Sequence, residues 1–202
     1  MGARYILGVD EAGRGPLAGP LALGVISVQE DFDIKAAFPG LNDSKQVLPE
    51  KREELFSILK EYEAKNVIRY SVNFASHRFI DSRGITPAAK FAAARGIRTL
   101  LPDPEEGKIF LDGLLKAPRG YEQETIIHGD ALVPAIMLAS IAAKVTRDRF
   151  MVRMAKRYPA YGFEQHKGYG TPEHIEKLRT YGSCPVHRLS FLSNILSASI
   201  SV

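Results

Sequence analysis

Asp10 and Glu11 stand side by side at the close of the first apolar run, Tyr5-Ile6-Leu7-Gly8-Val9. Adjacent carboxylates at the end of a strand repel each other and lose hydration. A divalent cation, with its preference for oxygen ligands, is the usual relief. The turn that follows, Ala12-Gly13-Arg14-Gly15-Pro16, sets a guanidinium between two glycines, which suits close approach to a phosphate. Metal and phosphate together point to phosphoryl-transfer chemistry. Asp112 closes a further predicted strand, Lys108-Ile109-Phe110-Leu111, just before Gly113, and Asp130 follows His128-Gly129 after the last one. Ligands of open α/β sheets gather beyond the carboxyl ends of strands, so Asp10, Glu11, Asp112 and Asp130 are the expected metal ligands. Asp148, between Arg147 and Arg149, is a rival for the fourth place; it is expected to play a supporting part, as is Lys144. A single Asp-Gly is most often only a turn, but three acids at strand ends beside Gly-Arg-Gly are harder to explain that way.

Three other segments carry candidate contacts. In His166-Lys167-Gly168-Tyr169-Gly170, Lys167 suits a phosphate and Tyr169 a sugar or base, through charge and stacking respectively; the plainer alternative is a tyrosine packed in a turn. Asn42-Asp43-Ser44-Lys45 is first a helix start, from which Lys45 could reach a phosphate. Arg188, in His187-Arg188-Leu189-Ser190-Phe191, either binds phosphate or caps the fold. No cysteine joins the histidines at zinc spacing. Neither a Gly-x-x-x-x-Gly-Lys-Ser/Thr loop nor a Gly-x-Ser-x-Gly elbow occurs, which argues against a P-loop and a hydrolase of that type.

These residues need a scaffold, and the pattern predicts one domain over 1–202. Residues 4–10, 20–28, 66–74, 108–113 and 124–128 read as strands, being apolar or alternating runs bounded by turn residues. A helix after Asp43-Ser44 carries Leu55, Ile58, Leu59 and Tyr62 on one face, with Pro49 in its first turn; a second, opened by Pro87, carries Phe91, Ala94, Ile97 and Leu101. A third, over 134–157, is apolar through Ala143. Its second half bears Lys144, Arg147, Arg149, Arg153, Lys156 and Arg157 and is expected to reach solvent or a ligand. Early adjacent strands followed by strand–helix alternation imply an α/β fold with a mixed sheet. Residues 1–140 carry 17 Lys+Arg against 19 Asp+Glu, a balance of −2; residues 141–202 carry 10 against 4, a balance of +6. A basic last third beside an acidic centre suits a polyanion, though a solvated helix face is the plainer alternative. One cysteine, Cys184, and no apolar stretch of the roughly 18 residues a membrane span needs lead us to expect a cytoplasmic protein without membrane attachment.

Gly8-Val9-Asp10-Glu11-Ala12-Gly13-Arg14-Gly15-Pro16 resembles the opening motif of ribonuclease HII. Asn42-Asp43-Ser44-Lys45, Leu111-Asp112-Gly113, Gly129-Asp130, the stretch Ala139 to Asp148, His166 to Gly170 and His187 to Phe191 appear in that family's order. The resemblance runs from about residue 4 to 192 and looks bacterial. It implies a ribonuclease H-like mixed five-stranded sheet, three strands antiparallel and two parallel, flanked by helices. It also implies a helical, substrate-binding C-terminal region over about 160–202. The implied activity is cleavage of RNA in RNA–DNA hybrids and 5′ to single ribonucleotides in duplex DNA, which serves primer removal and ribonucleotide excision in DNA repair. The family's metal-binding acids fall on Asp10, Glu11, Asp112 and Asp130, its ribonucleotide-sensing glycine–arginine–glycine on Gly13, Arg14 and Gly15, and its sensing tyrosine on Tyr169.

The resulting expectation is hydrolysis by two Mg²⁺ or Mn²⁺ ions roughly 3.5–4 Å apart, acting in a monomer and leaving 3′-OH and 5′-phosphate ends. Two alternatives stay open. One is a general two-metal DNA nuclease of the resolvase or transposase type; the other is a nucleic-acid-binding protein without catalysis.

Overall fold

The structure is a computed structural model that describes residues 4–42, 44, 46–193 and 195. The first two apolar runs form β1 (Tyr5–Ala12) and β2 (Leu21–Gln29), antiparallel neighbours on either side of the glycine-rich turn. Two helices follow, α1 (Ile34–Ala37) and α2 (Pro49–Ala64), and then β3 (Arg69–Ala75), antiparallel to β2. After α3 (His77–Arg83) and α4 (Ile85–Leu100) come β4 (Gly107–Asp112) and β5 (Glu122–Ile126). β4 runs parallel to β1, and β5 parallel to β4. The order β3-β2-β1-β4-β5 is the mixed sheet that the family resemblance implies. The chain closes with α5 (Gly129–Leu132), α6 (Pro134–Arg157), α7 (Phe163–His166) and α8 (Pro172–Tyr181).

Both faces of the sheet are covered, so β2 is buried over its first eight residues with no polar alternation. α4 packs on β2 and β3, and α6 crosses β1 and β2. The α6 contact is unusually close. A Cβ at Gly8 would lie 2.1 Å from the Ala135 carbonyl carbon, and one at Gly24 would lie 2.2 Å from the Ala139 oxygen. Glycine on the strands and alanine on the helix therefore bring the α6 backbone down onto the pleat. Pro134 starts α6 where no N–H is needed, and Lys156 and Arg157 sit at its carboxyl end, where the helix dipole favours cations. A third apolar cluster, including Leu17, Met151, Phe163, Leu178 and Val186, joins the C-terminal segments to the glycine-rich turn. No described helix is long and apolar enough to cross a membrane.

Several expectations need correction. Asp10 and Glu11 lie within β1, paired with Gly24 and Leu23, not at its end. β5 begins two residues earlier than predicted; it is an exposed edge strand, so hydrophobicity does not mark it. The buried face of α4 is Ala88, Ala89, Ala92, Ala93, Gly96 and Ile97, while Phe91 is 50% exposed and stacks on Phe79. Small residues win there because the sheet is close. α2 starts at Pro49, not beside Ser44, whose buried hydroxyl is 2.7 Å from that of Ser140. Asp43 and Lys45 lie outside the described residues.

Candidate active site

The parallel pairing of β1 and β4 sets Val9 against Leu111, which brings Asp10 and Asp112 onto neighbouring strands. Asp130, in the first turn of α5, directs its backbone N–H to Asp112 Oδ1 at 3.3 Å. Asp10 and Asp130 are both 4% exposed. Burial pushes the Asp10 carboxyl up to about 7, and the charges of Asp112 and Asp130 push the same way. Hydrogen bonds from Ser140 and from the Glu11 backbone only partly offset this. Glu11 takes the Arg14 guanidinium on Oε1 at 2.8 Å. Its Oε2 is buried and has no hydrogen-bond partner among the described residues.

Asp10, Glu11, Asp112 and Arg14 open on a cavity of about 470 Å³ that also receives Gly13, Gly15, Lys144 and Tyr169, with Asp130 behind Asp112 and outside its lining. The Tyr169 ring is 41% exposed, with the Lys144 ammonium 5.8 Å and the Arg147 guanidinium 5.7 Å from its centre. Lys144 also holds Asp148 at 2.9 Å, one helical turn away. Thus Asp130 meets Asp112, whereas Asp148 pairs with a lysine on its own helix. Lys167 is not brought to this cavity: its ammonium bonds the Glu164 and Gln165 carbonyls of α7, the short helix it follows.

Two buried arginines set the shape of the cavity wall, and the structure corrects the sequence reading of both. Arg147 was expected at a solvent or ligand face; it is 0% exposed, with Nε, Nη1 and Nη2 on the carbonyls of Pro20, Lys167 and Ala18. Arg188, a candidate phosphate ligand, is also 0% exposed. It donates to Gly13, Arg14 and Gly19 carbonyls at 2.6, 2.9 and 2.9 Å, so it takes the fold-capping role. A buried guanidinium is tolerable when its donors are met, and here backbone carbonyls meet them. A signal for Arg147 did exist. Ala139, Ala143, Arg147 and Met151 form one i, i+4 row, and all are fully buried. Nor is the basic half of α6 a free cationic stripe, because Arg149 pairs with Glu53 of α2.

The residues suit a hard cation. An acid raised to about 7 by burial, with acidic neighbours pushing the same way, and a buried, unpartnered carboxylate oxygen are both relieved by positive charge. As placed, no three acidic, histidine or cysteine side chains among the described residues converge on one point, so ligation requires the carboxylates to turn toward each other.

Residues 7–194 match the family model of Ribonuclease HII. This chain belongs to the ribonuclease HII family. A ribonuclease HII of Caldicellulosiruptor bescii is 45% identical over 196 residues, covering 97% of this chain and 90% of that one. One from Geobacillus kaustophilus is 43% identical over 200 residues, 98% of this chain and 73% of that one. The crystal structure of ribonuclease H2 from Pyrococcus horikoshii OT3 is similar, with a TM-score of 0.76 at 28% identity, covering 98% of this chain and all of the other. Like these ribonuclease HII relatives the chain is an enzyme, a phosphodiester hydrolase of the ribonuclease H class.

Proposed function

We propose that this ribonuclease HII family member is a divalent-metal-dependent endonuclease that cuts the RNA of RNA–DNA hybrids and cuts 5′ to single ribonucleotides in duplex DNA. The observation that carries this reading is the shared cavity, in which Asp10, Glu11 and Asp112 face the Gly13–Gly15 turn and Tyr169. Asp10, Glu11, Asp112 and Asp130 would hold Mg²⁺ or Mn²⁺. When bound, a metal pair supplies an attacking water of lowered pKa and positive charge for the leaving 3′-oxygen.

The chain's own residues supply selectivity. The 2′-hydroxyl distinguishes RNA from DNA, and the Gly13–Gly15 backbone offers it hydrogen-bonding groups without side-chain obstruction. Tyr169 packs on the adjoining sugar, which can be deoxyribose, so one ribonucleotide suffices. Arg14 and Lys144 offer charge to the neighbouring phosphates.

An end-labelled duplex with one ribonucleotide, beside an all-DNA control, tests the reading in Mg²⁺, Mn²⁺ or EDTA. The expected result is a single metal-dependent cut 5′ to the ribonucleotide, leaving 3′-OH and 5′-phosphate ends and an intact control. Cleavage of both duplexes would make it a general DNA nuclease.

A further inference from the structure

The Tyr169 loop is backed by histidine rings that the reading above leaves unused. His174 and His187 are 0% and 1% exposed, and their Nε2 atoms are 3.0 Å apart. Their other bonds fix which nitrogen carries each hydrogen. His187 Nδ1 lies 2.9 Å from the Cys184 backbone N–H and 3.2 Å from the Cys184 carbonyl. The shorter contact makes Nδ1 an acceptor and puts the His187 hydrogen on Nε2, which is also what a His174 ring donating from Nδ1 requires of its partner. This Nε2–H donates to His174 Nε2. The His174 hydrogen is then on Nδ1, which donates to the Tyr169 carbonyl at 2.8 Å.

A third ring fixes the rest of the loop. His166 stacks on His174 with ring centres 4.3 Å apart, and its Nδ1 accepts the Gly168 N–H at 3.1 Å. The Tyr169 N–H donates to the His166 carbonyl at 2.9 Å. Phe163 lies 5.5 Å from both His174 and His187, centre to centre, and its ring helps keep water from the chain of bonds. Apolar side chains would fill the same space. Only imidazoles of matched tautomer carry hydrogen bonds from Cys184 through to Tyr169.

We propose that His174 and His187 are positioning residues for Tyr169, and that their directional hydrogen-bond chain sets the backbone from which the Tyr169 ring meets the substrate sugar. This rests on the reading of Tyr169 as a substrate contact.

The test compares wild type, Tyr169→Ala, His174→Leu, His174→Asn and the double variant Tyr169→Ala/His174→Leu. Each is assayed with Mn²⁺ on a single-ribonucleotide duplex and on an RNA–DNA hybrid, with its melting temperature recorded. His174→Leu is expected to lose about ten-fold in kcat/KM on the single-ribonucleotide duplex relative to the hybrid, as befits one hydrogen bond. It should lose nothing further once Tyr169 is already alanine. Asparagine keeps a donor near the Nδ1 position, so His174→Asn is expected to stay within about three-fold of wild type. An equal loss with and without the Tyr169 ring overturns the proposal. If Tyr169→Ala cleaves normally, the Tyr169 reading itself falls and takes the proposal with it. If Tyr169→Ala is impaired and His174→Leu is not, only the histidine chain falls. Should His174→Leu fail to fold, imidazole ¹⁵N NMR of the wild-type enzyme at neutral pH decides. His174 protonated on Nδ1 and His187 on Nε2 supports the chain; the opposite tautomer or a charged ring overturns it.

Discussion

Arg188 Nη2 donates to the carbonyl of Gly13 at 2.6 Å, joining residues 175 positions apart. The same guanidinium takes Arg14 and Gly19, so one side chain spans the whole turn that faces the acids. Arg188→Ala strands those carbonyls in a buried place and is expected to cost about 3 kcal/mol or more. That amounts to roughly 6–12 °C in melting temperature for a chain of this size. Arg188→Lys is not a rescue, since one ammonium cannot reproduce the planar fork. Calorimetry of both variants checks this; a melting temperature within a degree or two of wild type would show the clamp to be dispensable.

The two glycines around Arg14 should behave differently. Gly13 has φ +90°, and an added Cβ would meet Arg147 Nε at 1.9 Å, whereas nothing lies within 4 Å of a Cβ at Gly15. Gly13→Ala is expected to lose about 2–4 kcal/mol of stability along with its cleavage. Gly15→Ala should fold within about 0.5 kcal/mol of wild type, so any loss of cleavage there reports on substrate. Denaturant unfolding and the single-ribonucleotide assay separate the two.

Asp10 is a strained element of the resting protein, buried beside two other acids. Asp10→Asn is expected to cut the cleavage rate by about a thousand-fold or more, as one of the proposed metal ligands is lost. In EDTA it should raise stability by about 1–2 kcal/mol, because the repelled charge is gone. Adding Mn²⁺ should raise the wild-type melting temperature and leave that of the variant nearly unchanged. A variant that melts below wild type in EDTA contradicts this account.

Burial pulls both His174 and His187 down to about 4 from an ordinary 6.5, and each is further lowered by a neighbouring histidine. Below pH 6.5 the unfolded chain binds protons that the folded rings refuse. The stability they contribute is therefore complete above about 6.5 and is lost as pH falls toward 4. Asp10 pulls the other way, since its raised carboxyl gains folded-state protons as pH falls through 7. Melting curves from pH 8 to 5 in the Asp10→Asn background isolate the histidines. A decline below pH 6.5 is expected, and a flat profile would mean the rings are not held neutral.

Much of this architecture was legible in the chain. Pro134 and the terminal Lys156-Arg157 delimit α6 correctly, and that Asp10, Glu11 and Asp112 share one cavity was legible from their places after apolar runs that read as neighbouring strands. Contacts decided by close approach were not legible. Phe91 looked like a core residue by size, yet the sheet comes too near α4 for anything larger than alanine over most of the face. Arg147 read as charge facing solvent or a ligand, and Arg188 stayed open between phosphate ligand and fold cap, because their partners are backbone carbonyls distant in sequence, and carbonyls leave no mark in a residue pattern. The histidine chain was hidden similarly, as tautomer and direction exist only once the rings are together.

The clamp on the glycine turn also has a consequence during synthesis. The Asp10–Glu11 pair and its turn leave the ribosome early, but Arg147 and Arg188 must still be translated before they can lock the turn into place. A nascent or prematurely terminated chain ending before Arg188 would carry all four acids and an unset turn. The arginine thus acts as a completion signal: a fragment that stops short holds the acids without the clamp that fixes the Gly13–Gly19 backbone beside them.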